Sequence, residues 1–88
     1  MRTIILELEH IETTAALHIY LQYMLRLPAH YGRNLDALHD ALTELSQPTH
    51  LIVRTLGVRG ETAAYLPRLL RVLREAQQEN PCLSAELR

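Results

Sequence analysis

Two short runs rich in β-branched residues, TIILELE beginning at Thr3 and HLIVRTL beginning at His50, constrain the fold of this chain more than anything else in it. Each has the length and composition of a strand buried on at least one face. The segments between and after them carry three- and four-residue apolar steps, the mark of amphipathic helices. Strands joined through helices pair in parallel. A last run, CLSAEL from Cys82, alternates in part and reads as a third strand. The predicted fold is therefore α/β: a three-stranded parallel sheet packed by three to four helices, in the order β-α-α-β-α-β.

Local chemistry sets the boundaries. The first strand is expected over Arg2 to Leu8, and Thr13 or Thr14 caps the helix after it. In that helix Leu17, Tyr20, Leu21, Met24 and Leu25 share one face. Pro28 stops it, because the residue before a proline is pushed out of helical geometry. LPAHYGR is a loop in which Gly32 permits a backbone conformation that other residues resist. Asn34 caps a second helix, Leu35 to Leu45. His50 to Leu56 is the second strand and GVRGE the loop that follows. Glu61 to Glu79 has a helical pattern interrupted by Pro67. One irregular turn is expected first, then the main helix from Pro67, where a missing N–H costs nothing. Asn80-Pro81 ends it.

With 88 residues, 48% of them apolar, the chain is expected to be one domain over 1–88 and too hydrophobic for disorder. It has no Trp or Phe, so Tyr20, Tyr23, Tyr31 and Tyr65 are the aromatics available to an otherwise aliphatic core. A formal net charge of −1 argues against general nucleic-acid binding, which needs a basic surface. Five of the nine arginines lie between Arg54 and Arg74 and read as a solvated helix face. The lone Cys82 excludes an internal disulfide and a cysteine-rich zinc site, and is expected to be a buried, inert thiol. Met1-Arg2 leads into IILELE, too short and too soon acidic for a signal peptide, and no apolar run is long enough to span a membrane. A soluble, cytoplasmic protein with no membrane partner is expected.

Chemistry concentrates in HYGRNLDALHDAL, His30 to Leu42. On a helical wheel Leu35, Leu38, Leu42 and Leu45 make a core-facing stripe, while Asp36, Asp40 and Glu44 make a second, acidic one. Like charges at this spacing destabilise an isolated helix slightly. Asp36 recovers part of that loss in the first turn, where the helix dipole favours an acid; Asp40 and Glu44 do not. Such a stripe either keeps a helix face solvated or forms an anionic knob for a cationic surface, for example a cationic active site.

The same run resembles the signature of the barstar family, small intracellular inhibitors of bacterial ribonucleases. That signature is an aromatic pair, Gly, any residue, Asn-Leu-Asp-Ala-Leu, an aromatic, then Asp. Leu27-Pro28 before the run and VLREA at Val72 to Ala76 are similar as well, as are length, motif position and element order. The resemblance implies a protein without catalysis of its own, which plugs a ribonuclease active-site cleft with the acidic helix and loop 28–44. It implies that Asp40 enters the position of the substrate phosphate, that Asp36 is a second interface aspartate and that Glu75 supports them from the last helix. His30 and His39 stand where the family has interface aromatics, Tyr31 completes the aromatic pair, Gly32 and Asn34 shape the loop, and Glu44 belongs to the same acidic face. The implied partner is an extracellular or toxin-type bacterial ribonuclease. The implied role is that of an antitoxin or immunity protein, monomeric when free. The chain departs from the family pattern at His30 and His39, smaller than the usual aromatics, at Arg33 inside the plugging loop, and in its near-zero charge. A ribonuclease with an anionic group facing Arg33 would fit. His30 and His39 flank the carboxylates, so docking on a cationic surface is expected to disfavour their protonated forms and to weaken as pH falls.

Other readings weigh less. The five histidines make no HxxxH pair, and a zinc site would need a third ligand beyond His39 and Asp36, so no metal and no cofactor are expected. His10, His18 and His50 read as surface or element-boundary residues. An enzyme would use Asp36 and Asp40 as acid and base, yet an exposed helix face offers no pocket to desolvate them and no nucleophile beside them. The alternative that shares every feature above is a diverged interaction module, binding another basic protein or toxin with no ribonuclease target.

Overall fold

The computed structural model describes all of residues 1–88. In β1, Arg2–Glu7, the alternation is visible: Ile4 and Leu6 are buried, while Thr3, Ile5 and Glu7 are exposed. β2, Thr49–Arg54, is buried along most of its length because it lies between two neighbours. β3, Leu83–Leu87, completes a sheet of order β1-β2-β3 in which both pairs are parallel. Arg2 to Glu7 stand opposite Thr49 to Arg54, and Thr49 to Val53 opposite Leu83 to Leu87.

Three helices, α1 (Thr14–Met24), α2 (Leu35–Thr43) and α3 (Gly60–Glu79), complete the predicted order β-α-α-β-α-β. Leu17, Leu21 and Leu25 of the first helical segment, Leu38 and Leu42 of α2, and Leu69, Leu73 and Ala76 of α3 form one cluster with Ile4, Leu6, Leu51, Val53 and Leu83. Those strand residues share one face of the sheet, because side chains alternate along a strand. The helices therefore cover that face and leave the other, with Thr3, Ile5, Glu7, His50, Arg54, Ser84 and Glu86, open or half-open. No helix is long and apolar enough to cross a membrane.

Several local expectations need correction. Pro67 lies inside α3, which runs unbroken from Gly60 rather than starting at the proline. A proline removes one helical hydrogen bond and crowds the carbonyl four residues back, so the first turns of α3 are held from outside. Glu61 Oε1 accepts from the Thr14 N–H at 3.0 Å, the Thr62 N–H donates to the Glu12 carbonyl at 3.4 Å, and Tyr65 and Leu66 pack on the core. Pro28 is not what ends α1. Arg26 turns left-handed (φ 54°), and the N–H groups of Arg26 and Leu27 return to the carbonyls of Tyr23 and Gln22 at 3.3 and 2.9 Å. This is the doubly bonded cap that usually takes a glycine. Gly32 is not left-handed either; its neighbour Arg33 is, with φ 55°. Space is what restricts position 32, since a Cβ there would stand 3.2 Å from both Ala37 Cβ and Asn34 Nδ2. Tyr23 is exposed rather than in the core, and Cys82 is half-buried, just ahead of β3.

Candidate functional site

Asn34 sets the geometry of the acidic helix. Its backbone is extended, its Oδ1 accepts from the Ala37 N–H at 2.8 Å, and its Nδ2 donates to the Gly32 carbonyl at 3.1 Å. One side chain thus starts α2 and fixes the end of the loop before it. The far end of α2 is held from beyond α3. Asn80 is buried, and its Nδ2 donates to the carbonyls of Leu42 (2.8 Å), in the last turn of the helix, and Leu45 (3.0 Å), just beyond it. With Leu38 and Leu42 fully buried beneath it, α2 is anchored at both ends and along its inner face.

Asp36, Asp40 and Glu44 are all exposed along the outer side, as the wheel predicts. No arginine lies within ion-pair distance of any of them. Asp40, with its side chain 79% exposed, has only His39 Nδ1 at 3.8 Å. Asp36 sits at the positive end of the helix dipole, whereas Glu44, the C-cap residue, sits at the negative end that opposes it. His39 is half-buried and turns its Nε2 onto the carboxylate of Glu79 in α3. That hydrogen bond, reinforced by the charges of Glu79 and Asp40, raises the His39 pKa above the ordinary histidine value.

In the loop, His30 is exposed and Tyr31 is turned into the core, its hydroxyl 2.7 Å from Nδ1 of His18. Between loop and helix lies a cleft of about 540 Å³. His30, Tyr31 and Gly32 line one side, Ala37, Asp40, Ala41 and Glu44 the other, and Arg2 and Arg26 also reach it. Arg33 faces back to α1, where its Nε donates to Gln22 Oε1 at 3.2 Å. Glu75 is exposed on α3, 3.7 Å from Arg71, and makes no hydrogen bond or ion pair with α2.

Sequence reasoning missed three partners of this face. Glu79 was within reach of it, because Glu79 follows Glu75 by one helical turn and shares its side of α3. Asn80 was read only as a helix stop, yet it caps α2. His18, expected at the surface or at an element boundary, is 2% exposed and lies between the hydroxyls of Tyr31 and Tyr65. An apolar wheel position occupied by histidine, on a chain with few aromatics, was its one signal. His10 is exposed, and His50 is half-buried on the open face of the sheet between Ser84 and Glu86.

Residues 1–86 match the family described as Barstar (barnase inhibitor). The chain belongs to the barstar family. Membership marks it as an inhibitor rather than an enzyme. A relative from Bacillus subtilis (strain 168), named "Putative ribonuclease inhibitor YrdF", is 37% identical over 81 residues, which cover 90% of this chain and 89% of that protein. The barstar-like run His30 to Leu42 is the loop and helix that form the two sides of the cleft.

Proposed function

We propose that this chain inhibits a bacterial ribonuclease by occlusion, seating loop and helix 28–44 in the enzyme's active-site cleft with Asp40 in place of the substrate phosphate. The observation that carries this reading is the row Asp36, Asp40 and Glu44, exposed carboxylates without arginine partners on a helix anchored at both ends. A cleft that binds RNA phosphate is cationic and supplies the missing partners. His30, Gly32, Asn34 and His39 border the same surface, Tyr31 supports it from beneath, and Glu75 adds an acid from α3. Family membership and the named relative support a ribonuclease as the target. On this reading the target is an extracellular or toxin-type enzyme, and the chain is its immunity protein, acting as a monomeric single domain without metal or cofactor.

The test mixes the purified full chain with basic bacterial ribonucleases and reads capture and RNA cleavage together. The expected result is a one-to-one complex in which cleavage is lost. Capture with cleavage intact would favour the interaction module instead, and RNA turnover by the purified chain alone would overturn inhibition altogether.

A further inference from the structure

The loop that faces the cleft is anchored in the core by Leu27 and Tyr31 and held at its end by Asn34, and two side chains of α1 fasten it to the rest of the molecule. His18 and Gln22 lie one helical turn apart, on the side of α1 that meets the loop. Gln22 works from the surface: its Nε2 donates to the Pro28 carbonyl at 2.8 Å, and its Oε1 accepts from Arg33 Nε at 3.2 Å. His18 works from inside. Only 2% exposed, it has the Tyr31 hydroxyl at 2.7 Å from Nδ1 and the Tyr65 hydroxyl of α3 at 2.9 Å from Nε2. A neutral imidazole has one N–H and one lone pair, so one tyrosine donates to it and the other accepts from it. Every polar atom of the ring is then satisfied, the condition under which a buried polar network fixes one geometry.

We infer that His18 and Gln22 are positioning residues for the binding loop, a two-point clamp that sets the placement of His30, Gly32 and Arg33 and the width of the cleft. The word binding rests on the function proposed above; the clamp itself does not. Protonation of His18 would make both ring nitrogens donors and reverse one of the two bonds. The groups facing the ring are Tyr31 from the loop and Tyr65 from α3, with the Arg68 guanidinium 5.1 Å over the Tyr65 ring, and no carboxylate is among its hydrogen-bond partners. Burial accordingly lowers the His18 pKa from its ordinary 6.5. The sign follows: the neutral ring's contribution is complete above about 6.5 and is lost as pH falls through that value toward the lower folded one.

Amide hydrogen exchange on the free full-length chain tests this, with protection factors compared at two reporters. The Tyr31 N–H, bonded to the Pro28 carbonyl, reads the loop; the Thr49 N–H, bonded to the Cys82 carbonyl, reads the sheet. In His18→Leu, protection at Tyr31 should fall about tenfold or more relative to Thr49, the mark of local rather than global opening. Gln22→Ala should act in the same direction. His18→Gln, which keeps one donor and one acceptor, should restore part of the protection. In the wild-type chain the Tyr31-to-Thr49 ratio should fall between pH 7 and pH 5, about the range of histidine titration, and His18→Gln should remove that slope. An equal fall at both reporters, or none at Tyr31, would overturn the clamp. A loosened loop with unchanged affinity for a ribonuclease that the wild-type chain inhibits would instead overturn the binding role given to the loop. A wild-type chain that inhibits no ribonuclease overturns only the proposed function, and the exchange ratio decides the clamp by itself.

Discussion

The outer side of α2 and the open face of the sheet both carry carboxylates into solvent, but they treat them differently. On the sheet every acid has a cation or a histidine. Glu7 stands opposite Arg54 in the parallel register, 2.7 Å from its guanidinium, and Glu86 accepts from His50 at 2.9 Å and from Arg88 at 3.1 Å. The bond from His50, with help from Arg88, lowers the Glu86 pKa. On α2, Asp36 and Glu44 have no ionic partner, and Asp40 has only a histidine at 3.8 Å. The sheet acids interact within the fold, whereas the α2 acids direct their field outward. A helix that keeps like charges one turn apart accepts a small local penalty, and an external cationic surface removes it.

The two faces should differ most in affinity. Asp40→Ala should weaken binding of the inhibited ribonuclease by about 2–5 kcal/mol, roughly 30- to several-thousand-fold in Kd, mostly through faster dissociation. Asp36→Ala should cost less, and Glu75→Ala, whose carboxylate already has Arg71, least of the three. Glu7→Ala and Glu86→Ala should leave Kd within about twofold, since rim or remote charges act mainly on association. Calorimetric titration of all five variants checks the ranking; a sheet-face variant as damaging as Asp40→Ala would place the interface on the wrong face.

Stability should give the mirror image. Leu38, fully buried under the acidic row, should lose about 2–5 kcal/mol on truncation to alanine, because a cavity remains in the aliphatic core. Asp40→Ala, two residues on and on the exposed side of the helix, should leave stability within about 0.5 kcal/mol. Glu7→Gln, which breaks an exposed ion pair, should cost less than about 1 kcal/mol. Urea unfolding of the three variants separates core, bare acid and paired acid.

The smallest effect is on pH. The pKa of His39 is raised in the folded chain, so its contribution to stability is complete below about 6.5 and fades as pH rises through the folded value. A cationic partner surface disfavours that protonated ring. Binding should therefore release protons, and affinity should fall as pH drops from about 7.5 to about 5.5, a window in which carboxylates stay ionised. Calorimetry in buffers of different ionisation enthalpy measures the release. His39→Gln should abolish it; wild-type binding without proton release would show that the His39 ring stays solvated. Glu86 titrates with the opposite sign, its stabilisation lost only as pH falls through the carboxylate range.

Much of this protein is legible without coordinates, and the reason is range. The identity of the elements, the leucine stripe of α2, its acidic companion and the Asn34 cap all depend on residues within a turn or two of each other, where the periods of helix and strand and the chemistry of a cap act directly. The family signature is equally local, thirteen consecutive residues from His30 to Leu42. Tertiary structure decided what local rules left open or misjudged. α3 passes through Pro67 because its first turns are bonded to the start of α1, forty-seven residues away in the chain. His18 is buried, with its pKa drawn down, because Tyr31 and Tyr65 meet there, and His39 is drawn toward protonation because α3 brings Glu79 to it across forty residues. Which polar groups find partners depends on which elements pack together, and a single sequence reveals those meetings only when the chain has folded.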